Sequence, residues 1–579
     1  MDGALAVPKE TKAQSVERLK SAKNPWEAFD EIREFARNGH SSIPPEWIGL
    51  YFRWWGIYTQ GDGAGAVGGS GGEGKSTDYF MFRIRVPNGI LRSDQLRTVA
   101  DLAERHGRGI ADITVRQNIQ LHWLTIEALP ETIDALAAVG FISKGACGDV
   151  ARNLTGCPVA GVAADELCDA SPLVLQAAQM LAGNSEFYNL PRKFKVSITG
   201  CPVWCSYPEI NDIGLTAVER IRRGQREVGF SLRVGGGLSA DPHLAVRLDA
   251  FVRWKQVLPV VRGITELFRE QDILRENRKR ARMKHLFTQF GWTPDRFLDE
   301  LQSHLGYRLD PAEPDSVPAD IYRDHVGIHR QKQHSAGIAC DNTLYYVGAS
   351  VLRGRITPEQ MRAAAHLADR FGSGDLRTTN TQNLLIVNVP RANIDAVVRG
   401  LDDVGLHVAA SPFWRGAIAC TGTEFCKLAI TETKSYTRWL VEELGERFPA
   451  FDQQLKLHVT GCPNSCGQHW ISDIGLEGKK IKHDGRLVDA YYFCLGGAVG
   501  EHQRVARPVG YRCPADQVPD AIERLLRSYV ASRDGDENLR SYFARFSDEE
   551  LRAQLAGFDA ESVERDLPRE AAPDRVAGD

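Results

Sequence analysis

Residues 79–86, Tyr-Phe-Met-Phe-Arg-Ile-Arg-Val, alternate and then meet Pro-Asn-Gly, the pattern of a strand that ends in a turn. Residues 93–106 carry apolar side chains at helical spacing, and Ser93-Asp94 is the expected cap. Residues 119–124 predict another strand. Strand–helix–strand order returns after residue 344, so the expected fold class mixes helix and sheet, α+β or α/β. Residues 61–75 are rich in glycine and predict a flexible loop. Beyond residue 533 the chain is strongly charged, predicted helical in part, and trails off in proline and acidic residues.

The same pattern occurs twice. Segments 197–215 and 458–476 both contain Thr-Gly-Cys-Pro and Asp-Ile-Gly-Leu. Cys201 falls on Cys462, Cys205 on Cys466 and Asp212 on Asp473, a shift of 261 that also carries Gly235-Gly236 onto Gly496-Gly497. Upstream, residues 101–107 match 366–372 and Gln117-Asn118 match Gln382-Asn383, at a shift of 265. A period of this length is far too long for a solenoid unit. It predicts two homologous halves, each of two parts, related by a pseudo-twofold axis.

A chain of 579 residues is too long for one core, so two to four domains are expected. The formal charge of −4 argues against a general nucleic-acid binder. The first twenty residues lack the apolar run of a signal peptide, and no stretch of about 18 apolar residues exists to span a membrane. The expected compartment is the cytoplasm.

Twelve cysteines are too sparse for a disulfide scaffold and are unevenly spread, which points to metal. Cys420 and Cys426 are followed by Cys462 and Cys466, with Gly461, Pro463 and Gly467 beside them. Four thiolates on two loops can clamp a 4Fe–4S cube, and adjacent glycines let the backbone approach the sulfurs and donate N–H bonds. A structural zinc is the alternative, although the five-residue gap between Cys420 and Cys426 fits zinc less well. Buried unligated thiols are a third reading. In the first half Leu154 stands where the second has Cys420, so that half reads as having lost its cluster. The rival is a second cluster on Cys147, Cys157, Cys201 and Cys205.

Cations are distributed the other way. Arg83, Arg116, Arg152, Lys193 and Lys195 lie on short segments flanked by apolar or glycine residues. Arg116 falls on Thr381 and Lys193 on Gln454, while Lys195 falls on the retained Lys456. Arginine forks bind oxyanions and carboxylates in pairs, and lysine supplies point charge and protons. One anion site built asymmetrically from a duplicated frame is expected; surface charges paired with acids are the alternative. The runs Arg220–Arg226 and Arg275–Arg282 read as solvated faces.

Thr-Gly-Thr-Glu-Phe-Cys426 and Thr460-Gly-Cys-Pro-Asn-Ser-Cys466, with Phe82–Gly89, Asp112–Asn118 and Leu190–Lys195, identify the family. Over residues 45–535 the chain resembles the sirohaem-dependent nitrite and sulfite reductases, and among them the ferredoxin-dependent assimilatory enzymes. The resemblance implies two ferredoxin-like regions and two larger lobes. The expected divisions are an N-terminal extension at 1–45, ferredoxin-like regions at 46–145 and 316–408, lobes at 146–315 and 409–535, and a tail at 536–579. It implies that Cys420, Cys426, Cys462 and Cys466 ligate the cluster, with Cys466 also bridging to the sirohaem iron. Arg83, Arg152, Lys193 and Lys195 would surround the substrate anion, and Arg116 and Asn118 would hold sirohaem carboxylates. Sulfite or nitrite would be reduced by six electrons. Residues 68–74 match a nucleotide loop only weakly and lack βαβ context, so a separate ferredoxin-type donor is expected.

The substrate turns on small signals. Lys193-x-Lys195 resembles sulfite reductases, as does Ala146-Cys147-Gly-Asp149, whereas Cys466-Gly-Gln468 resembles the nitrite branch. Sulfite is the preferred reading. A related oxygenase acting on a corrinoid precursor would lack the lysine pair, and a simple electron carrier would not need the cations. In the ferredoxin-dependent sulfite reductases that the Tyr58 and Cys147 segments resemble, the matching tyrosine and cysteine form a thioether. Free packing of Tyr58 against Cys147 is the alternative.

Overall fold

The computed structural model describes residues 10–60, 78–314, 323–332 and 343–557. The glycine-rich stretch 61–75 and the end of the charged tail lie outside the described residues. The patterned segments fold as their periodicity dictates, with strands Tyr79–Ile84 and Ile119–Leu124 flanking the helix Ser93–His106. The expected cap is corrected by one residue. Arg92 caps, its backbone N–H donating to Gln95 Oε1 at 2.9 Å, and Ser93 is the first helical residue. The Ser93 hydroxyl instead donates to Asp369 Oδ1 at 2.5 Å, on the repeat-related helix Pro358–Phe371.

The two ferredoxin-like sheets exchange a strand. The first orders Ile57–Gln60, Tyr79–Ile84, Ile119–Leu124, Ala111–Ile113 and then Arg355–Ile356 from the second half. The second orders Gly327–Arg330, Leu344–Ala349, Leu384–Pro390, Asp375–Thr378 and then Ile90–Arg92 from the first. Arg355 sits opposite Asp112, and Asp375 opposite Arg92. One apolar core joins both sheets and their helices, with Leu96, Val99, Met361 and Ala364 all fully buried.

The larger lobes repeat strand for strand. Val196–Thr199 runs parallel to Ile213–Arg222, which pairs antiparallel with Gln225–Val234 and through it with Val246–Arg253. Leu457–Thr460, Ile474–His483, Arg486–Leu495 and Arg507–Pro514 copy this order, and Ala417–Ala419 adds a parallel edge. Each lobe has its own core, to which the helices Val257–Arg269 and Val518–Ser532 each contribute a face.

The duplication extends to unusual backbone. Left-handed φ occurs at Asn88 (55°) and Arg353 (56°), at Gln117 (59°) and Gln382 (64°), and at Tyr207 (53°) and Gln468 (64°). Such conformations cost a non-glycine residue about 1–2 kcal/mol and persist where neighbours over-determine them. Gln117 Nε2 donates to Gly156 O and to Thr378 O across the pseudo-axis, and Gln382 Nε2 donates to Ala419 O and to Ile113 O in return.

The N-terminal helix Lys12–Ala22 is anchored by one buried cation, Lys20, which reaches Leu190 O at 2.9 Å and Asp149 Oδ2 at 3.2 Å. In the charged tail, Leu539–Ala544 and Asp548–Ala556 are helical and pack onto the second lobe. No helix among the described residues is long and apolar enough to cross a membrane.

Candidate active site

Parallel pairing explains how distant cysteines meet. Ala417–Ala419 and Leu457–Thr460 run side by side in the same direction, so the loops leaving their C-terminal ends emerge together. Cys420 and Cys426 lie on the first loop, Cys462 and Cys466 on the second. Gly461 N–H donates to Cys420 Sγ at 3.2 Å, and Asn464 Nδ2 donates to Cys462 Sγ at 3.5 Å. Glycine is required in both loops. A Cβ at Gly422 would stand 2.5 Å from Thr433 Oγ1, and one at Gly461 would stand 2.8 Å from Thr431 O. Burial, and then the neighbouring Cys466, push the Cys426 and Cys462 thiols up to about 12. Bound metal would reverse that balance, since it stabilises thiolate.

This donor set fits a cubane better than a zinc ion. Among the described residues, the ligand atoms gathered within 4.8 Å of one another are those of Cys157, Cys205 and His325 instead. The Cys420–Cys466 set therefore stands wider than a single ion holds its ligands. Cys466 differs from its three companions in being exposed.

Two cations of the first half, Arg83 and Lys193, lie within electrostatic reach of that exposed thiol. Arg83, on the strand Tyr79–Ile84, donates to Cys147 Sγ at 2.9 Å and lies within electrostatic reach of Cys466. Arg152 is held by Gly148 O, which accepts from Nη2 at 2.8 Å and from Nε at 3.1 Å. Lys193 and Lys195 lead into the strand Val196–Thr199. All four keep part of their surface open, and burial weighs on Arg83, Lys193 and Lys195. Burial, with Arg282 next in effect, lowers Lys193 to about 7 despite the nearby Cys466. Lys195 is pulled well below the usual lysine range by burial and then by Arg116, Arg282 and Lys193.

The repeated aspartate has a clear task. Asp212 Oδ2 accepts the Lys195 backbone N–H at 2.8 Å, and Asp473 Oδ2 accepts that of Lys456 at 2.6 Å. In the first half Arg282 Nη2 donates to Asp212 Oδ2 at 2.9 Å, whereas in the second Arg540 Nε stands 3.9 Å from Asp473 Oδ1. This corrects the reading of Arg275–Arg282 as a solvated face. Arg275 pairs with Glu17 at 2.7 Å, Arg278 with Asp149 at 2.6 Å, and Arg282 is buried. A charge run gives no local signal of which side turns inward.

Arg116 lies within electrostatic reach of Lys195. Its Nη1 donates to Asn211 Oδ1 at 2.8 Å and its Nη2 to Asn153 O at 2.6 Å, while Nε is buried without a partner. Burial, and next Arg152, lower it to about 9. Asn118 is buried, and its Oδ1 accepts the Val86 N–H at 3.3 Å, as Asn383 Oδ1 accepts that of Val351 at 3.0 Å. The matched asparagines therefore brace equivalent turns.

The alternative four-cysteine cluster is not assembled. Cys147 sits against Arg83, whereas Cys157, Cys201 and Cys205 gather elsewhere beside His325. Leu154, at the position of Cys420, is buried in the apolar core of its lobe. Neither His325 nor Arg282 belongs to a motif, and the sequence marks Arg282 only as the end of a charged run.

The chain is similar to known proteins over nearly its whole length. The family description "nitrite and sulphite reductase 4Fe-4S domain" matches residues 147–309 and 411–560. The "nitrite/sulfite reductase ferredoxin-like half domain" matches residues 73–139 and 341–404. An assimilatory ferredoxin-dependent nitrite reductase of Haloferax mediterranei is 37% identical, covering 89% of this chain and 88% of its own length. A ferredoxin sulfite reductase of Mycolicibacterium paratuberculosis is 34% identical, covering 94% and 97%. The structure of the Mycobacterium tuberculosis NirA protein superimposes with a TM-score of 0.85 at 34% identity, over 92% of this chain and 97% of that one.

Proposed function

Because the chain belongs to the sirohaem-dependent nitrite and sulfite reductase family, a family of oxidoreductases, we propose that it reduces sulfite to sulfide with six electrons taken singly from a ferredoxin-type donor. The family's sirohaem and 4Fe–4S cluster supply an open iron and an electron store. Cys420, Cys426, Cys462 and Cys466 hold the cluster. Cys466, the exposed thiol within reach of Arg83 and Lys193, would be the ligand shared with the sirohaem. Arg116 and Asn118 would hold the macrocycle's carboxylates, Asn118 through the turn it braces.

Arg83, Arg152, Lys193 and Lys195 bind the anion. Placed in a desolvated pocket, they offset its charge and the charge that develops as each bond to oxygen weakens. The lysines hand protons to the departing oxygens, which leave as water, while the arginines hold the anion through paired hydrogen bonds. The carrying observation is that Cys466 of one half faces Lys193 and Arg83 of the other. The lysine pair favours sulfite, the more highly charged anion. Nitrite is the second reading, favoured by the likeness to the Haloferax enzyme and by Gln468. Steady-state turnover of both anions by the holoenzyme with a reduced ferredoxin tests the choice. A higher kcat/KM for sulfite is expected; a higher value for nitrite would establish the second reading.

A further inference from the structure

A second group of metal-binding side chains lies away from the cations and the cluster loop. Cys157, Cys201, Cys205 and His325 are all buried, walled by Val159, Val162, Tyr346 and Leu385. The ligand atoms of Cys157, Cys205 and His325 lie within 4.8 Å of one another, and the Cys201 thiol is hydrogen-bonded to both other thiols. His325 is 2% exposed, and neither ring nitrogen has a hydrogen-bond partner. A buried imidazole with both nitrogens unsatisfied needs an explanation, such as an ion.

The framework imposes the position of that imidazole. His325 adopts a left-handed φ of 62°. Arg415 grips the residues on either side, donating to both Asp324 carboxylate oxygens at 2.8 Å and to Val326 O at 3.1 Å. A neutral imidazole offers a ring-nitrogen lone pair to a metal. Arg323 stands within electrostatic reach of Cys201, where it would balance excess thiolate charge.

The spacing selects the kind of metal. Sulfurs about 2.3 Å from a tetrahedral zinc are about 3.8 Å apart, inside the 4.8 Å that bounds the ligand atoms of Cys157, Cys205 and His325. A cubane holds its thiolates at its corners, further apart than this trio. Cys201 and Cys205 occupy the loop positions of Cys462 and Cys466, and Trp204 (49°) and Ser465 (54°) share the left-handed turn between them. The duplicated cluster loop thus offers a second thiolate pair.

We infer that Cys157, Cys201, Cys205 and His325 bind one zinc ion in a closed, structural site. The three thiols come from the first lobe and the histidine from the segment entering the second ferredoxin-like sheet. The ion therefore fastens one half to the other, and the thiols lose their protons as it binds.

The test is metal analysis of the holoenzyme purified from zinc-replete cells, with X-ray absorption at the zinc edge. One zinc per chain is expected beside about five irons, four of the cubane and one of the haem. Its shell should hold three sulfurs at about 2.3 Å and one nitrogen at about 2.0 Å. Absence of zinc, a shell without sulfur, about nine irons, or a disulfide among these cysteines would each overturn the inference. Cys157→Ser should lose the zinc while keeping its iron and visible spectrum. His325→Cys should keep the zinc in a four-sulfur shell; an unchanged shell there would also overturn it. If Cys157→Ser does not fold, the wild-type shell and the His325→Cys shell decide.

Discussion

Arg83 donates through Nη1 to the Cys147 thiol at 2.9 Å while its guanidinium carbon stands 5.9 Å from the Tyr58 ring. One cation thus sits against both partners of the expected thioether, and Cys147 is fully buried. Joining them removes two electrons and two protons, for which dioxygen is a sufficient acceptor. The expected outcome is a single reductant-resistant peptide pair containing Tyr58 and Cys147, lighter by two hydrogens. Recovery of both peptides separate and unmodified from fully active enzyme would exclude the bond.

Replacing Cys466 tests the shared ligand. Cys466→Ser should disturb the haem and the cluster signals together in visible and paramagnetic resonance spectra. A change in the cluster signal alone would show that the residue serves only the cubane.

Discrimination between anions is assigned to Lys195. Lys195→Asn removes one charge-assisted contact, worth about 1.5–3 kcal/mol, or roughly ten- to a hundredfold. Sulfite turnover should fall by that factor and nitrite turnover by less. Equal losses would mean that Lys195 serves both anions alike, in cofactor binding or proton supply.

Asp149 is the counter-charge for a buried cation set, with Lys20 at 3.2 Å, Arg278 at 2.6 Å and Arg192 at 3.3 Å. Burial alone would raise its carboxyl, but Lys20 and then Arg278 hold it well below the usual range. Asp149→Asn leaves Lys20 and Arg278 with Glu17 as their remaining acid and should cost about 3–5 kcal/mol, read as a lower denaturation midpoint. Because the folded carboxyl is the stronger acid, its contribution is complete above about pH 4, the unfolded value, and is lost as pH falls through the folded one. The gap between wild type and variant should be constant from neutral pH to about pH 4 and shrink below it. A gap that persists unchanged into acid would assign the effect to packing.

The sequence carried the duplicated frame in full view, because Cys201 and Cys462, or Gln117 and Gln382, sit on identical strings that fold into matching backbone. Of the expected cluster cysteines, Cys462 and Cys466 have counterparts in the first half, while Cys420 falls on Leu154 and was read from its spacing to Cys426. Arg282 was not, because its neighbours Lys279 and Arg280 remain outside while it turns in toward Asp212. His325 was not, because its importance arises only when a segment more than a hundred residues away brings Cys205 to it. The exchanged strands, Arg355–Ile356 and Ile90–Arg92, are too short to carry any periodicity.

That exchange bears on how the chain can come apart. Cut between the halves, each sheet would lose its last strand and present an unpaired row of N–H and C=O groups beside an opened apolar core. Two such fragments would have their best remedy in each other, each supplying the ribbon the other lacks. A half-length ancestor would have met the same need with a second copy of itself. The present protein is, in that sense, a strand-swapped dimer threaded on one chain, and neither half is a separable folding unit.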